Sequence, residues 1–518
     1  MTLFLPPASC LLPPASCFLP PASCLLLPAS CLLPSAFCLF VILAVAFCCL
    51  PVYIPLRRLN LEGGDFLLFR IRTATILLIF FALWPSRATD SSPPAAPRQV
   101  PADIRPSQVV QAALQELSQR GLTLDNQGIF IESLDGRAIA ASHNADVLFN
   151  PASVAKLATT CFALWTLGPK FQFRTRACYR GTWDSHQERI LGDLIFQSDG
   201  DPLFRNGDAR AFAARLRQAG LRNISGDLII QGPFCLNGKY NVEESAERMG
   251  KILTAAGLRI GGATRVENST HVLGLTQVKS PLGDGRFSGT HTGSPAEELP
   301  QTPAAGLRWI VEHRSAPLRD ILWYQNAHSV NVIADRLGAA LGGARATERF
   351  LQEQVGISPG DMYLTSNSGL DANGLTPRAT VKLMRCLHQL LLQHRMTFLD
   401  VLPAAGLDSG TLSDRFIKPA YRGCVVAKTG TQNSWDDGVS VLAGILATRQ
   451  GKFLFAIYNS HGDVRSYRKW QDVLLERFME EMNGGIPWKL ERKDAIDIYY
   501  SAQWLLQNDS RISLQSAE

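Results

Sequence analysis

The chain has 518 residues, enough for two or three domains, and a formal net charge of +6 with 19% charged side chains. No basic run marks a nucleic-acid surface, so nucleic acid is excluded as a partner. Nine histidines show no H-E-x-x-H, and the five cysteines beyond residue 50 show no metal-ligand spacing, so no metal or other cofactor is expected.

The first 56 residues carry no charged side chain and repeat Leu-Pro-Pro-Ala-Ser-Cys-Leu, with Cys10, Cys17, Cys24, Cys31 and Cys38 seven apart. A proline in each unit excludes a coiled coil. Residues 1–60 read as translated repetitive DNA upstream of the real start. The rival reading is a membrane-seeking leader, since Ala36 to Leu50 lacks charge and proline but is short for a span. Residues 61–88 read as a signal peptide: Arg70 and Arg72, an apolar Ile76 to Trp84, then Ser86-Arg-Ala88. They predict export to the periplasm or cell envelope. Left uncleaved, the same segment would give peripheral membrane association. Residues 89–106 are rich in Pro, Ser and Ala and read as a linker.

A helix is predicted from Pro106 to Gly121, with Val109, Ala113 and Leu117 at helical spacing. A hairpin around Asp135-Gly136 follows, then a helix from Asn150 to Gly168 with Pro151 in its first turn. From 171 to 299 the texture changes to an inserted, mostly β domain. Its strands are predicted at Phe173–Tyr179, Gly192–Gln197 and Gly226–Gln231, with a helix at Val242–Leu258 and a Gly-rich loop at Ser280–Ser294. Two copies of Gly-Asp-Leu-Ile, at 192 and 226, suggest paired strands. Cys178 and Cys235 both lie in this insertion and are a candidate pair in an oxidising compartment. Helices resume at Ala304, and two short ones flank Ser329 to Asn331. Three strands follow, from Cys424, Val439 and Phe453, then a helix from Val464 to Met482 and a tail at 485–518. Leading strands, central helices, then strands and a closing helix require the N- and C-terminal strands to meet in one sheet, an α+β arrangement. Residues 107–170 and 300–484 form that core.

Three strings in one order carry the chemistry: Ser153-Val-Ala-Lys156, Ser329-Val-Asn331 and Lys428-Thr-Gly430. As S-x-x-K, S-x-N and K-T-G they are the parts of one acyl-transfer site. Ser153 and Lys156 are three apart and so neighbours on a helix. A serine hydroxyl needs a base, and lysine serves as one only when neutral, through desolvation or a nearby cation; Lys428 is the candidate cation. Ser329 can relay a proton, and Asn331 can orient Lys156 and a substrate carbonyl. Gly430 would let a substrate backbone approach the strand edge, while Lys428 and Thr429 offer a cation and a hydroxyl to a carboxylate. A second S-x-x-K (Ser466 to Lys469) and a second S-x-N (Ser142 to Asn144) stand out of order.

The chain resembles the D-alanyl-D-alanine carboxypeptidases with an endopeptidase side activity, the class C low-molecular-mass penicillin-binding proteins, over residues 105 to 480. Further matching segments are Ser315-Ala-Pro-Leu-Arg-Asp-Ile-Leu322, Ser366-Asn-Ser-Gly-Leu-Asp371, Leu402-Pro-Ala-Ala-Gly-Leu-Asp-Ser-Gly-Thr411 and Gly192-Asp-Leu-Ile195 with Gly200-Asp-Pro202. Asn367 stands where the family usually has glycine, and the stretch from Ser153 to Ser329 is shorter than in larger members. The resemblance implies a penicillin-binding/β-lactamase-like serine transpeptidase fold, an antiparallel sheet with flanking helices plus a helical lobe. It implies Ser153, Lys156 and Ser329 as catalytic, and Asn331, Lys428, Thr429, Gly430 and Thr431 as substrate-binding. The N–H groups of Ser153 and Thr431 would form the oxyanion hole. Substrates would be peptidoglycan stem peptides, with β-lactams as covalent inhibitors. Two alternatives stay open: a serine β-lactamase-like hydrolase, for which no E-x-x-L-N follows Asn331, and a catalytically idle cell-wall-binding protein.

Overall fold

Ser107 accepts the amide of Val110 and starts helix α1 (Gln108–Gln119), which buries Val110, Ala113 and Leu117. The computed structural model describes residues 106–267, 307–433 and 436–488, with Ile498, 502–506 and the backbone of 507–508 and 511–515. The repeat, the signal peptide, the linker up to 105 and the Gly-rich loop at 280–294 lie outside the described residues.

Strands β1 (Gln127–Ser133) and β2 (Ile139–His143) form the expected hairpin, with Gly136 at φ +76° in its turn. A 3₁₀ turn over Ala152–Ala155 runs into helix α2 (Lys156–Leu167), which Gly168 ends at φ +74°. The insertion supplies β3 (Arg174–Asp184), β4 (Arg189–Ser198), α3 (Asn206–Gln218), β5 (Asn223–Ile224), β6 (Leu228–Gln231), α4 (Val242–Ala255), β7 (Arg259–Ile260) and β8 (Thr264–Glu267). Next come β9 (Arg308–Arg314), α5 (Leu318–His328), α6 (Asn331–Ala340), α7 (Gly343–Phe350) and the short pair β10 (Met362–Tyr363) and β11 (Gly374–Leu375). The chain closes with α8 (Pro377–Gln393), β12 (Val425–Gln432), β13 (Val439–Thr448), β14 (Gly451–Asn459), α9 (Val464–Glu481), β15 (Gln503–Asn508) and β16 (Arg511–Gln515).

The first sheet runs β12-β13-β14-β1-β2, every neighbouring pair antiparallel. The first strand therefore meets the last, as the element order requires. The Ile129-Phe-Ile131 run of β1 does not alternate because both faces of the strand are covered. Phe130 joins Leu157, Leu383 and Leu387 in the core on one face, and Ile129 and Ile131 join Leu117, Leu474 and Phe478 on the other. β12 is an edge strand, and the nucleophile turn packs against it.

The insertion builds a second sheet, β16-β15-β9-β3-β4-β5-β7, with β6 and β8 stacked in parallel beside β4. The two Gly-Asp-Leu-Ile copies pair in register, Leu194 with Leu228 and Ile195 with Ile229. Each rung is tied to the next: Asp193 Oδ1 accepts the Asp227 amide at 2.9 Å, and Asp227 Oδ1 accepts the Ala263 amide at 2.7 Å. Helices α3 and α4 cover this sheet, so the domain has helices packed on its strands.

Three expectations need correction. From Arg308 the chain forms a strand, not the helix expected to resume at Ala304. Its Trp-Ile-Val run favours a pleated, two-sided burial, and it pairs with β3 on one edge and β15 on the other. Across β3 and β9 a buried Arg176–Glu312 ion pair is enclosed. The tail beyond 485 likewise adds β15 and β16 to this sheet. Cys178 and Cys235 are free, buried thiols; the Cys178 thiol faces Gln197 Oε1 at 3.7 Å. The close pair is instead Cys161 and Cys386, Sγ to Sγ 3.8 Å, between α2 and α8.

Candidate active site

Ser153 lies in the 3₁₀ turn and Lys156 at the first residue of α2, so the S-x-x-K spacing puts both side chains on one side. The backbone before them is in a sparsely populated conformation: Ala152 takes φ +44° while fully buried. Two close approaches hold it there. A Cβ on Gly369 would lie 1.8 Å from Ala152 O, and one on Gly430 would lie 2.6 Å from Pro151 O. Gly430 therefore serves to seat β12 on the nucleophile turn, and the space its side chain would take is filled by protein.

Lys156 is wholly buried, and its Nζ has three oxygen neighbours: Ser153 Oγ at 2.9 Å, Asn331 Oδ1 at 2.7 Å and Ser368 O at 2.5 Å. A neutral amine has two hydrogens and one lone pair. Asn331 Oδ1 and Ser368 O can only accept, so they take the two hydrogens. The lone pair is left for the Ser153 hydroxyl hydrogen. Burial lowers Lys156 to about 7, and Asp335 pulls the other way. Desolvation, one of the two routes the sequence left open, is thus the largest cause.

Ser329 sits between α5 and α6 at φ +55°, the left-handed cap of α5, which turns its hydroxyl toward β12. Lys428 Nζ donates to Ser329 Oγ at 3.0 Å and to Thr429 O at 2.7 Å. Its side chain is fully buried, and burial together with the charge of Lys156 holds it well below the ordinary lysine range. Thr429 Oγ1 donates to Thr411 Oγ1 at 2.8 Å, and Thr431 Oγ1 accepts from Arg468 Nη2 at 2.7 Å. The structure so gathers all eight sequence-selected residues into one place. The decoys stay apart: Ser142 lies in β2, and Ser466 lies in the first turn of α9, its amide bonded to Asp463.

Sequence reasoning missed Ser368, Thr411 and Arg468. Ser368 and Thr411 fall in segments already noted, 366–371 and 402–411, but the partner is a backbone carbonyl in one case and a second hydroxyl in the other. Asn367 fills the place of the family's usual glycine by donating to Thr347 Oγ1 at 2.7 Å, packed where a Cβ on Gly338 would stand.

These contacts place the molecule among the active-serine enzymes of the penicillin-binding and β-lactamase-like fold, which use lysine where other serine hydrolases use histidine. The model of the D-Ala-D-Ala carboxypeptidase 3 (S13) family matches residues 110–234 and 296–477, more than half of the chain, and the chain belongs to that family. It is 25% identical over 442 residues to the D-alanyl-D-alanine carboxypeptidase DacB of Haemophilus influenzae, covering 68% of this chain and 90% of that protein. It is 25% identical over 448 residues to the D-alanyl-D-alanine carboxypeptidase of Actinomadura sp. strain R39, covering 68% and 80%. In fold it resembles penicillin binding protein 4 of Haemophilus influenzae, with a TM-score of 0.53 at 21% identity, over 71% of this chain and 99% of that one. A penicillin G-acylated predatory endopeptidase of Bdellovibrio bacteriovorus, Bd3459, superposes with a TM-score of 0.54 at 18% identity, over 71% and 95%. No helix among the described residues is long and apolar enough to cross a membrane.

Proposed function

We propose that this enzyme is a serine D,D-carboxypeptidase, with endopeptidase capacity, acting on peptidoglycan stem peptides outside the cytoplasm. The observation that carries the reading is the three-oxygen environment of Lys156 Nζ, which leaves its lone pair to Ser153.

Ser153 Oγ attacks the carbonyl of the penultimate D-alanine as its proton passes to Lys156. The N–H groups of Ser153 and Thr431 receive the oxyanion; each such donor is typically worth about 3 kcal/mol. The C–N bond breaks as a proton reaches the leaving amine through Ser329, whose hydroxyl Lys428 holds. Free D-alanine departs and leaves an acyl-Ser153. Water then adds by the reverse proton path and releases the shortened peptide. A D-centre amine from a cross-link can leave in the same way, which gives endopeptidase action. A β-lactam offers a strained amide at the same position, and its cleaved amine stays attached to the acyl group. Family membership and the carboxypeptidase relatives support the substrate class; the intact constellation argues against an idle wall-binding protein.

The test is covalent labelling with a fluorescent penicillin. Wild type and Ser466→Ala label, and Ser153→Ala does not. Labelling that survives Ser153→Ala overturns the mechanism.

A further inference from the structure

A peptide ending in D-alanine brings a free carboxylate into this site. The two lysines are badly placed to receive it. Lys156 and Lys428 are each fully buried, and both amines are already bonded to protein oxygens. Lys428 and Thr429 are adjacent in β12 and so point to opposite faces, while Thr429 and Thr431 share one face. On that shared face stands a cation, Arg468, whose Nη2 lies 2.7 Å from Thr431 Oγ1.

We propose that Arg468, together with the Thr431 hydroxyl, receives the substrate's C-terminal carboxylate and sets the preference for a free carboxylate over a blocked one. This rests on the D,D-peptidase reading above. Three observations carry it. First, Arg468 is exposed beside the last residues of β12, and no described carboxylate makes an ion pair with it; partial burial and the neighbouring charge of Arg415 both disfavour its charged form, and Asp414 opposes them only from beyond ion-pair distance. Second, it is held in place by its backbone. Arg415 Nη2 donates to Arg468 O at 3.0 Å, and Arg415 itself pairs with Asp472 at 2.6 Å. The charge of Arg415 is thus answered inside the protein, and that of Arg468 is not. Third, a guanidinium has five donors in a fork that matches a carboxylate, and only one is engaged with Thr431.

The arrangement also separates two demands that conflict in a lysine. The base must be neutral, which burial achieves. The anion receptor must stay charged, which a solvent-facing guanidinium does at any working pH.

The test compares acetylated L-Lys-D-Ala-D-Ala with its C-terminal amide. In wild type the acid is preferred. In Arg468→Gln, KM for the acid rises about tenfold or more while kcat changes far less, and the acid-to-amide preference in kcat/KM collapses by the same factor. Arg468→Lys recovers part of the preference. If Arg468→Gln slows both peptides equally, the residue is only structural; if it slows neither, it binds nothing; each result overturns the proposal. A second measurement does not need turnover: the acylation rate by benzylpenicillin against its methyl ester. There too Arg468→Gln should erase the preference for the free acid, and a preserved preference overturns the proposal. A wild type that labels with penicillin but leaves both peptides intact would sink the peptidase reading, not this one.

Discussion

Acylation of Ser153 should follow the titration of Lys156. An ordinary lysine titrates at 10.5, whereas burial brings Lys156 to about 7. That difference corresponds to roughly 5 kcal/mol of interaction favouring the neutral form. At pH 7 about half of the molecules then hold a neutral Lys156, roughly a thousandfold more than for a free lysine. Only the neutral amine can take the serine proton, so activity rises with pH through about 7 and levels above it. The assay is the second-order rate of labelling by a fluorescent penicillin between about pH 5.5 and 9.5, where a single base gives close to a tenfold rise per unit on the acid limb. Asp335 supplies a second handle. Its negative charge favours protonated Lys156, and its Oδ2 accepts the Tyr240 hydroxyl at 3.1 Å. Asp335→Asn removes that charge, so the acid limb should move to lower pH. A flat profile, or a midpoint close to that of free lysine, would refute the assignment of Lys156 as the base. Movement of the limb to higher pH in Asp335→Asn would refute the electrostatic account.

Ser329→Ala should lower kcat and kcat/KM together, by about 10²–10⁴-fold with a D-Ala-D-Ala peptide, because a proton relay acts only in the transition state; a rise in KM alone would remove that role. Gly369→Ala should lower stability by more than about 2 kcal/mol in urea unfolding, since Gly369 has φ +80° and the new Cβ would meet Ala152 O at 1.8 Å. Arg176→Ala should destabilise by about 1–3 kcal/mol, because the buried Glu312 then keeps only Arg314 as a partner, and Arg176→Met with Glu312→Leu should recover most of it. Asp201 is buried and raised to about 7, so its folded form holds a proton that the unfolded form loses above 3.8. Folding stability associated with it falls as pH rises from 3.8 through about 7, and Asp201→Asn should gain on wild type by up to roughly 1 kcal/mol per pH unit in that window.

The local parts of this site were legible because their spacing maps directly onto geometry. Ser153 and Lys156 needed only a helical turn. Ser329 and Asn331 needed a break between helices, which the αL residue supplies. The alternating Lys428 and Thr429 needed a strand. What stayed hidden depends on long-range packing. The Ser368 carbonyl leaves no trace in residue type, because any residue carries one. Arg468 sits inside the out-of-order Ser466 to Lys469 string, and only the fold brings α9 beside β12. Gly430 was legible as a required glycine, but the close approach of Pro151 that also requires it comes from long-range packing. β9 was misread because the preceding stretch carries few strand signals, and its partners β3 and β15 lie far away in sequence.

The pairing of β1 with β14 sets an order on how the molecule can come into being. Gln127 is joined to Asn459 and Ser133 to Phe453, so the strand made first waits for one made more than 300 residues later. The second sheet repeats the pattern, since β9 gains its outer partner only from β15. Through most of synthesis β1 offers an open hydrogen-bonding edge with apolar residues on both faces, the kind of surface on which chains aggregate. Closure over such separations is slow. β12, which carries Lys428 and Thr431, is also late, so a partly made chain holds Ser153 and Lys156 without the strand that completes their site. Activity therefore arrives with the last strands, as a property of the finished topology.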